Sequence, residues 1–207
     1  MGDIMNAYPS IRPIRRPSVT IAPTRSLDEL IQVHVIRGLV FVGEQACPYD
    51  EEFDGNDIGA THLLARVDGE PAGTLRLRWF ADFAKAERAA VRAPYRKLGL
   101  CRQMVDLAAD IAARKGYAML YGTAQTRVLD YWLSVGFERL GKPNFHFSDH
   151  EYVPIVRRLQ PTAERLASET PDLVLNRPEG DWDRPGVLDR SAERSLQPAA
   201  ASEARRG

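Results

Sequence analysis

The chain is poor in sulfur: its 207 residues include two cysteines, Cys47 and Cys101, at no metal-ligand or redox spacing, which speaks against a disulfide framework and fits a reducing cytoplasm. Net charge is absent as well. Lys and Arg total 28 against 28 Asp and Glu, so nothing favours bulk binding to nucleic acid or to an anionic membrane. No apolar run reaches 18 residues, and Arg37 interrupts the longest candidate, Val33 to Val42, so no membrane span is expected. Met1 to Pro17 lacks the apolar centre of a signal peptide and reads as a flexible basic arm. His62, His146 and His150 stand at no metal-ligand spacing and read as structural or rim histidines, so no metal is expected. Two phosphate loops are also missing. Neither Gly-x-x-x-x-Gly-Lys-Ser/Thr nor Gly-x-Gly-x-x-Gly occurs, which argues against a nucleoside triphosphatase and a dinucleotide dehydrogenase.

What is present suffices for one domain of roughly 150 residues, since 44% of the chain is apolar. Val19 to Ile21 reads as a first strand. Ser26 and Glu29 then form a Ser-x-x-Glu capping box ahead of Leu27, Leu30, Ile31 and Val35 at helical spacing. Between residues 62 and 80 the period becomes two: Leu63, Ala65 and Val67, an Asp68-Gly69 turn, then Leu75, Leu77 and Trp79 predict an antiparallel hairpin. Leu100, Met104, Leu107 and Ile111 form the stripe of a helix that ends near Gly116. Met119 to Gly122 reads as a buried strand, Val128 to Val135 as a short helix, and Phe145 to Val156 as one or two closing strands.

The most informative stretch runs from Ala89 to Cys101: a short strand, Ala89, Ala90 and Val91, then Arg96, Lys97, Leu98, Gly99, Leu100 and Cys101 opening into the helix that carries Arg102. Unpaired N–H groups at a helix start, a glycine that permits close approach and flanking cations suit a pyrophosphate. Arg96-x-x-Gly99-x-Cys101 resembles the Arg/Gln-x-x-Gly-x-Gly/Ala loop of the GNAT acyltransferases, with Cys101 in place of the last small residue. The resemblance covers residues 18 to 158. It implies an α/β GNAT fold, a central mixed, mostly antiparallel sheet flanked by helices, that holds acetyl-CoA or another acyl-CoA as co-substrate. By the same resemblance the loop takes the pyrophosphate and Ala89 to Val91 pair with the pantetheine arm.

A second stretch, Arg37-x-x-Val40-Phe41-Val42-x-Glu44-Gln45 followed by an acidic loop and Thr61-His62-Leu63, resembles one branch of small GNAT proteins, in which it lies beside the acceptor pocket. Five carboxylates between Asp50 and Asp57 make an anionic patch that would attract a cationic amine and accept its proton. Arg37, Glu44, Asp54 and Asp57 are therefore the candidate acceptor-binding residues. Acyl transfer needs a base, for which Glu44 and Glu87 rank equally, and a polariser of the carbonyl, which the resemblance places at the Val91 N–H. Strand alternation puts Glu87 on the face of Ala89 and Val91. For the leaving thiolate, many family members carry Phe-Tyr-x-x-x-Gly-Phe; here Trp132 occupies the tyrosine position, against the cofactor, and Tyr131 precedes it as the candidate acid.

Three functions follow. The first is a cytoplasmic N-acetyltransferase acting on a primary amine of a small cationic or zwitterionic molecule. The second is an autoinducer-synthase-like or N-acyl amino acid synthase that uses acyl carrier protein, with Arg76, Arg78 and Arg92 as a docking face and Phe147, Ser148 and Asp149 as a head-group site. The third is a silent acyl-CoA sensor. A homodimer is left open. Beyond Leu159 the chain reads as a mostly disordered tail over 159–207, because Trp182 and Leu188 are too sparse to build a core; an interaction arm that docks Trp182 on a partner or on the domain itself is the alternative.

Overall fold

Eight strands form one sheet in the computed structural model, which describes residues 16–147, 149–160 and 162–192. Strand β1 (Val19–Pro23) leads through Ser26 into α1 (Leu27–Arg37), a π-helical turn (Gly38–Glu44) and the one-turn α2 (Tyr49–Glu52). Strands β2 (Thr61–Val67), β3 (Glu70–Trp79) and β4 (Ala84–Val91) precede α3 (Leu100–Arg114) and β5 (Met119–Gln125). Helix α4 (Leu129–Ser134), β6 (Glu138–Arg139), β7 (Phe145–Phe147) and β8 (His150–Arg158) follow, and short helices α5 (Asp172–Leu175) and α6 (Val187–Ala192) come last. The spatial order is β1-β2-β3-β4-β5-β8-β6, with β7 on β8; every pairing is antiparallel except β4 with β5. This is the mixed, mostly antiparallel sheet flanked by helices that the resemblance implied.

Local chemistry accounts for the boundaries. The Ser26 hydroxyl accepts from the Glu29 N–H at 3.2 Å, while the Glu29 carboxylate accepts from the Arg25 N–H at 2.7 Å, so the capping box closes one residue early. Asp68 and Gly69 both take positive φ, 50° and 88°, the backbone that a two-residue hairpin turn requires.

Two helices cover opposite faces of the sheet. Met104, Val105, Ala108 and Ile111 of α3 pack on Leu63, Ala65, Leu75 and Leu77, while Val33 and Ile36 of α1 pack with Val40 on Leu64 and Ala90. The stripe expected to face the core on α1 is corrected by this packing: Leu27, Ile31 and Val35 are exposed, and Val33, Ile36 and Arg37 point inward. Contact with the sheet, not apolar count, selects the face. Double coverage has a second result. Thr74 and Arg76, on what alternation marks as the polar side of the hairpin, are fully buried beneath α1.

The mostly disordered tail is also corrected, for residues 162–192. Trp182 is 4% exposed and joins the core cluster of α3 and the sheet. The Arg114 guanidinium lies 5.2 Å from its ring centroid, and the Lys115 ammonium reaches Glu179 at 3.0 Å. Arg25 pairs with Asp181, and the Leu166 N–H donates to the Arg114 carbonyl at 2.7 Å. Gly180 takes φ 83° where a Cβ would stand 3.1 Å from Pro23 Cγ, so the strap crosses close over the end of β1. A sparse segment is ordered here because it inserts its one large residue into an existing core and needs none of its own. Most of the basic arm, residues 1–15, and the end of the tail, 193–207, lie outside the described residues.

Candidate active site

The strand that carries the glycine loop also opens the sheet. Strands β4 and β5 pair only through Ala84 with Leu120 and Lys85 with Tyr121. Past that point a bulge intervenes: Arg76 pairs with Glu87 and Thr74 with Ala90, so one extra residue stands in β4, and Arg88 takes φ 54°. The bulge corrects the expected alternation. Glu87 shares its face with Ala90, and not with Ala89 and Val91. It also turns the Arg88 side chain onto the acidic loop, where it donates to the Glu51 carbonyl at 2.6 Å and pairs with Glu52 and Asp54 at 3.1 and 3.2 Å.

A cleft of about 1000 Å³ lies in the gap, and its lining includes Ala89, Ala90, Val91, Arg96, Cys101, Tyr131 and Trp132 together with Glu44, Asp54, Lys85 and Glu87. The Arg92 N–H donates to the Ala72 carbonyl at 2.9 Å, so by strand alternation the Val91 N–H points away from β3, into the gap. At the wide end the chain takes a short 3-10 turn (Ala93–Tyr95), then positive φ at Lys97 (69°) and Gly99 (73°), and enters α3. Gly99 is the N-cap and no side chain caps the helix, which leaves its first-turn N–H groups without helical partners. A Cβ on Gly99 would meet only the Gln103 amide, at 3.9 Å, so the space over the loop is open. Arg96 bridges the parts: its Nε donates to the Val91 carbonyl at 3.0 Å and its Nη2 pairs with Glu44. Lys97, Leu98 and Arg102 are exposed; Leu100 is buried beside Val67 and Ala72.

The acidic segment differs from its expected role. Glu52, Asp54 and Asp57 are not a free anionic patch but are clamped on Arg37, Arg76 and Arg88. Arg37 and Arg76 are each 0% exposed. Arg37 pairs with Glu52 and Asp57 and donates to the Glu52 carbonyl at 2.7 Å; Arg76 reaches Asp54 at 2.6 Å and Asp57 at 2.8 Å. A charge taken out of water must be paired, and each of these is. Burial would raise Asp54 and Asp57, but hydrogen bonds from the arginines outweigh it and hold both below the usual carboxylate range. Glu52 goes the other way: its burial raises it even beside Arg37 and Arg88. His62 Nε2 lies 3.0 Å from the Asp57 carbonyl, and burial depresses His62 and His34. These three paired carboxylates, of which Asp54 lines the cleft, therefore exert little pull on a cation.

Glu87 is 9% exposed and has both oxygens engaged, with Arg76 at 2.9 Å and Lys85 at 2.7 Å. Glu44 keeps a third of its side chain exposed. Tyr131 and Trp132 both reach the cleft. Trp132 packs edge-on against Phe137 at 5.5 Å, and the Tyr131 hydroxyl is hydrogen-bonded to the Cys101 thiol. Burial, then that bond, pushes the Tyr131 phenol up, so it stays protonated; burial raises Cys101 too, which removes it as a nucleophile. The basic docking face for acyl carrier protein does not form. Arg76 is buried and Arg92 is spent on the Pro71 carbonyl at 2.5 Å. Of the proposed head-group residues, Ser148 lies outside the described residues, and Phe147 belongs to an exposed aromatic lip with Phe145 and Tyr152. Among the described residues no cluster of side chains suits a metal ion, and no helix is long and apolar enough to cross a membrane.

Sequence reasoning missed the arginine clamp and the cleft residues Lys85 and Tyr121, and gave Arg78 a docking role in place of a cleft-lining one. A signal for the clamp was available: Arg76 and Arg78 alternate with Thr74 on one face of the hairpin, opposite the buried leucines.

Comparison with known proteins agrees with this geometry. The model of the acetyltransferase (GNAT) family matches residues 30–137. A Bacillus subtilis (strain 168) protein provisionally named an acetyltransferase is 34% identical over 105 residues, 49% of this chain and 71% of that one. A crystal structure of an acyl-CoA N-acyltransferase from Pseudomonas aeruginosa is 27% identical, with a TM-score of 0.60 over 69% of this chain and 99% of its own. A GNAT acetyltransferase from Elizabethkingia anophelis, crystallised with acetyl-CoA bound, shares the fold at a TM-score of 0.53 and 15% identity, over 68% of this chain and 98% of its own.

Proposed function

The chain belongs to the GNAT acetyltransferase family and is an N-acetyltransferase, and from that premise we propose that it transfers acetyl from acetyl-CoA to a primary amine of a small molecule by direct attack. The observation that carries this is the coincidence of the unpaired β4 edge with the uncapped start of α3 in one cleft. The N–H groups from Lys97 to Arg102, with the positive end of the α3 dipole, bind the pyrophosphate. Ala89 to Val91, unpaired with β5, offer their backbone edge to the pantetheine arm apart from the Val91 carbonyl that Arg96 holds, and the Val91 N–H donates to the oxyanion that develops on the thioester carbonyl.

Glu44 is the preferred base in this reading. It keeps an accessible oxygen beside the Val91 edge, whereas both oxygens of Glu87 are held by cations. A pyrophosphate also competes for Arg96, the partner that now occupies Glu44. Tyr131, protonated and in the cleft, supplies a proton to the departing thiolate. Trp132 has no acid to give and serves as an apolar wall for the pantetheine side.

Gly99→Val tests the assignment. The positive φ costs a branched side chain about 1–3 kcal/mol, short of unfolding, and its methyls project into open space over the loop. Acetyl-CoA affinity measured by calorimetry should fall more than about tenfold, the loss of one charge-assisted contact or more. Equal affinity in the variant would remove the loop from the proposal. Acetyl-CoA binding to the parent without thiol release over a broad amine panel would leave only a binding protein.

A further inference from the structure

The narrow end of the cleft has the opposite charge from the one the acidic run implies. Arg78 and Lys85 are cross-strand partners on β3 and β4, and Lys85 is in turn the partner of Tyr121 on β5. All three side chains line the cleft. Glu52, Asp54 and Asp57 are matched by Arg37, Arg76 and Arg88, which leaves Glu87 as the one carboxylate that the cleft-lining Arg78 and Lys85 share. Lys85 takes it at 2.7 Å. Arg78 stands 3.8 Å away, beyond hydrogen-bond range, with its guanidinium 5.1 Å from the centroid of Phe80. A guanidinium held against an aromatic ring, 30% exposed and short of a bonded carboxylate, presents its planar fork to the cleft.

These cations do not serve the pyrophosphate. Lys85 precedes Val91 by six residues, about 20 Å along the strand, and the glycine loop lies farther still. The floor between the ends is Tyr121, Thr123 and Gln125 on one sheet face; beyond it Phe145 stacks on Tyr152 at 5.7 Å. An occupant of this space meets cationic donors at one end and an apolar, aromatic wall at the other.

We propose that the acceptor amine also carries a carboxylate, bound by Arg78 with Lys85, so that the substrate class is amino carboxylates whose apolar body separates the two groups, because the distance from these cations to the Val91 N–H is too long for an α-amino acid to span. This rests on the acetyl-transfer reading of the same cleft. It narrows the cationic or zwitterionic acceptor to the zwitterionic kind, because Glu52, Asp54 and Asp57 of the acidic run are paired within the protein.

The test uses the full chain saturated with CoA, so that turnover is not needed. N-acetyl-ω-amino acids, from N-acetyl-5-aminopentanoate through N-acetyl-8-aminooctanoate, are titrated calorimetrically, each against its neutral amide, with N-acetylglycine as the control too short to span the cleft. At least one acid should bind more than about tenfold tighter than its amide, the range for a charge-assisted pair of bonds. Arg78→Gln should bring that ratio close to one while leaving acetyl-CoA affinity within about twofold, and Lys85→Met provides the same comparison should the first variant fold poorly. Amides that bind as tightly as the acids, or a full panel that fails to bind while acetyl-CoA binds, would overturn the proposal. Failure of acetyl-CoA itself to bind would instead sink the acetyl-transfer reading.

Discussion

Replacing Trp182 with alanine should expose how much of the domain's stability resides in a strap that carries no apolar periodicity. The indole is 4% exposed, set in the main core cluster, with Arg114 and Lys115 at 5.2 and 6.0 Å from its ring centroid. A buried tryptophan removes about 150–250 Å² from water, worth roughly 4–6 kcal/mol at about 25 cal/mol/Å². Truncations of this kind in cores cost about 3–5 kcal/mol, since the site relaxes only in part. In a domain of this size 1 kcal/mol moves the midpoint by about 2–4 °C, so Tm should fall by about 6–20 °C. Scanning calorimetry, with the calorimetric and van't Hoff enthalpies compared to check two-state behaviour, reads the shift directly. Trp182→Phe, which keeps most of the buried ring, should lie between the parent and the alanine variant. A drop below about 2 °C in the alanine variant would mean that the ring contributes no net burial in solution and that the strap is peripheral after all.

Tyr131→Phe should lower kcat by roughly ten- to a thousandfold with acetyl-CoA affinity nearly unchanged, because only a proton given to the departing thiolate is lost; unchanged turnover would reduce Tyr131 to packing and to its bond with Cys101. Stability should also depend on pH near neutrality. His62 is depressed by burial below its ordinary 6.5, so the unfolded chain binds the proton first; its contribution is complete above about 6.5 and is lost as pH falls through the folded value. Tm should therefore drop between pH 7 and 5, and His62→Gln should flatten that slope; a slope left intact would place the titration elsewhere. At lower pH, Asp54 and Asp57, held below their ordinary 3.8, should lose their contribution as they protonate, while Glu52, raised by burial above 4.5, works in the opposite sense. Urea melts from pH 5 to 2 should show a net loss of stability; a rise across that range would contradict the assigned directions.

Local chemistry along the chain determined much of this protein. The Ser26 cap, the Asp68-Gly69 turn and the alternation of Leu63, Ala65, Leu75 and Leu77 depend on neighbours within a few residues, and each forms where its residues predict. The glycine loop was legible for the same reason: positive φ at Gly99 and an uncapped helix start follow from a contiguous stretch. Tertiary structure decided what depends on charges and faces brought together from afar. Glu52, Asp54 and Asp57 look like part of a free anionic patch until Arg37, Arg76 and Arg88, from a helix and two strands, are folded onto them and offset their charge. Alternation could not anticipate the bulge at Arg88, since one inserted residue reverses every face beyond it and separates Glu87 from Ala89 and Val91. Nor could composition show that Trp182 has a home, because the pocket that receives it is built by α3 and the sheet, many residues away in sequence.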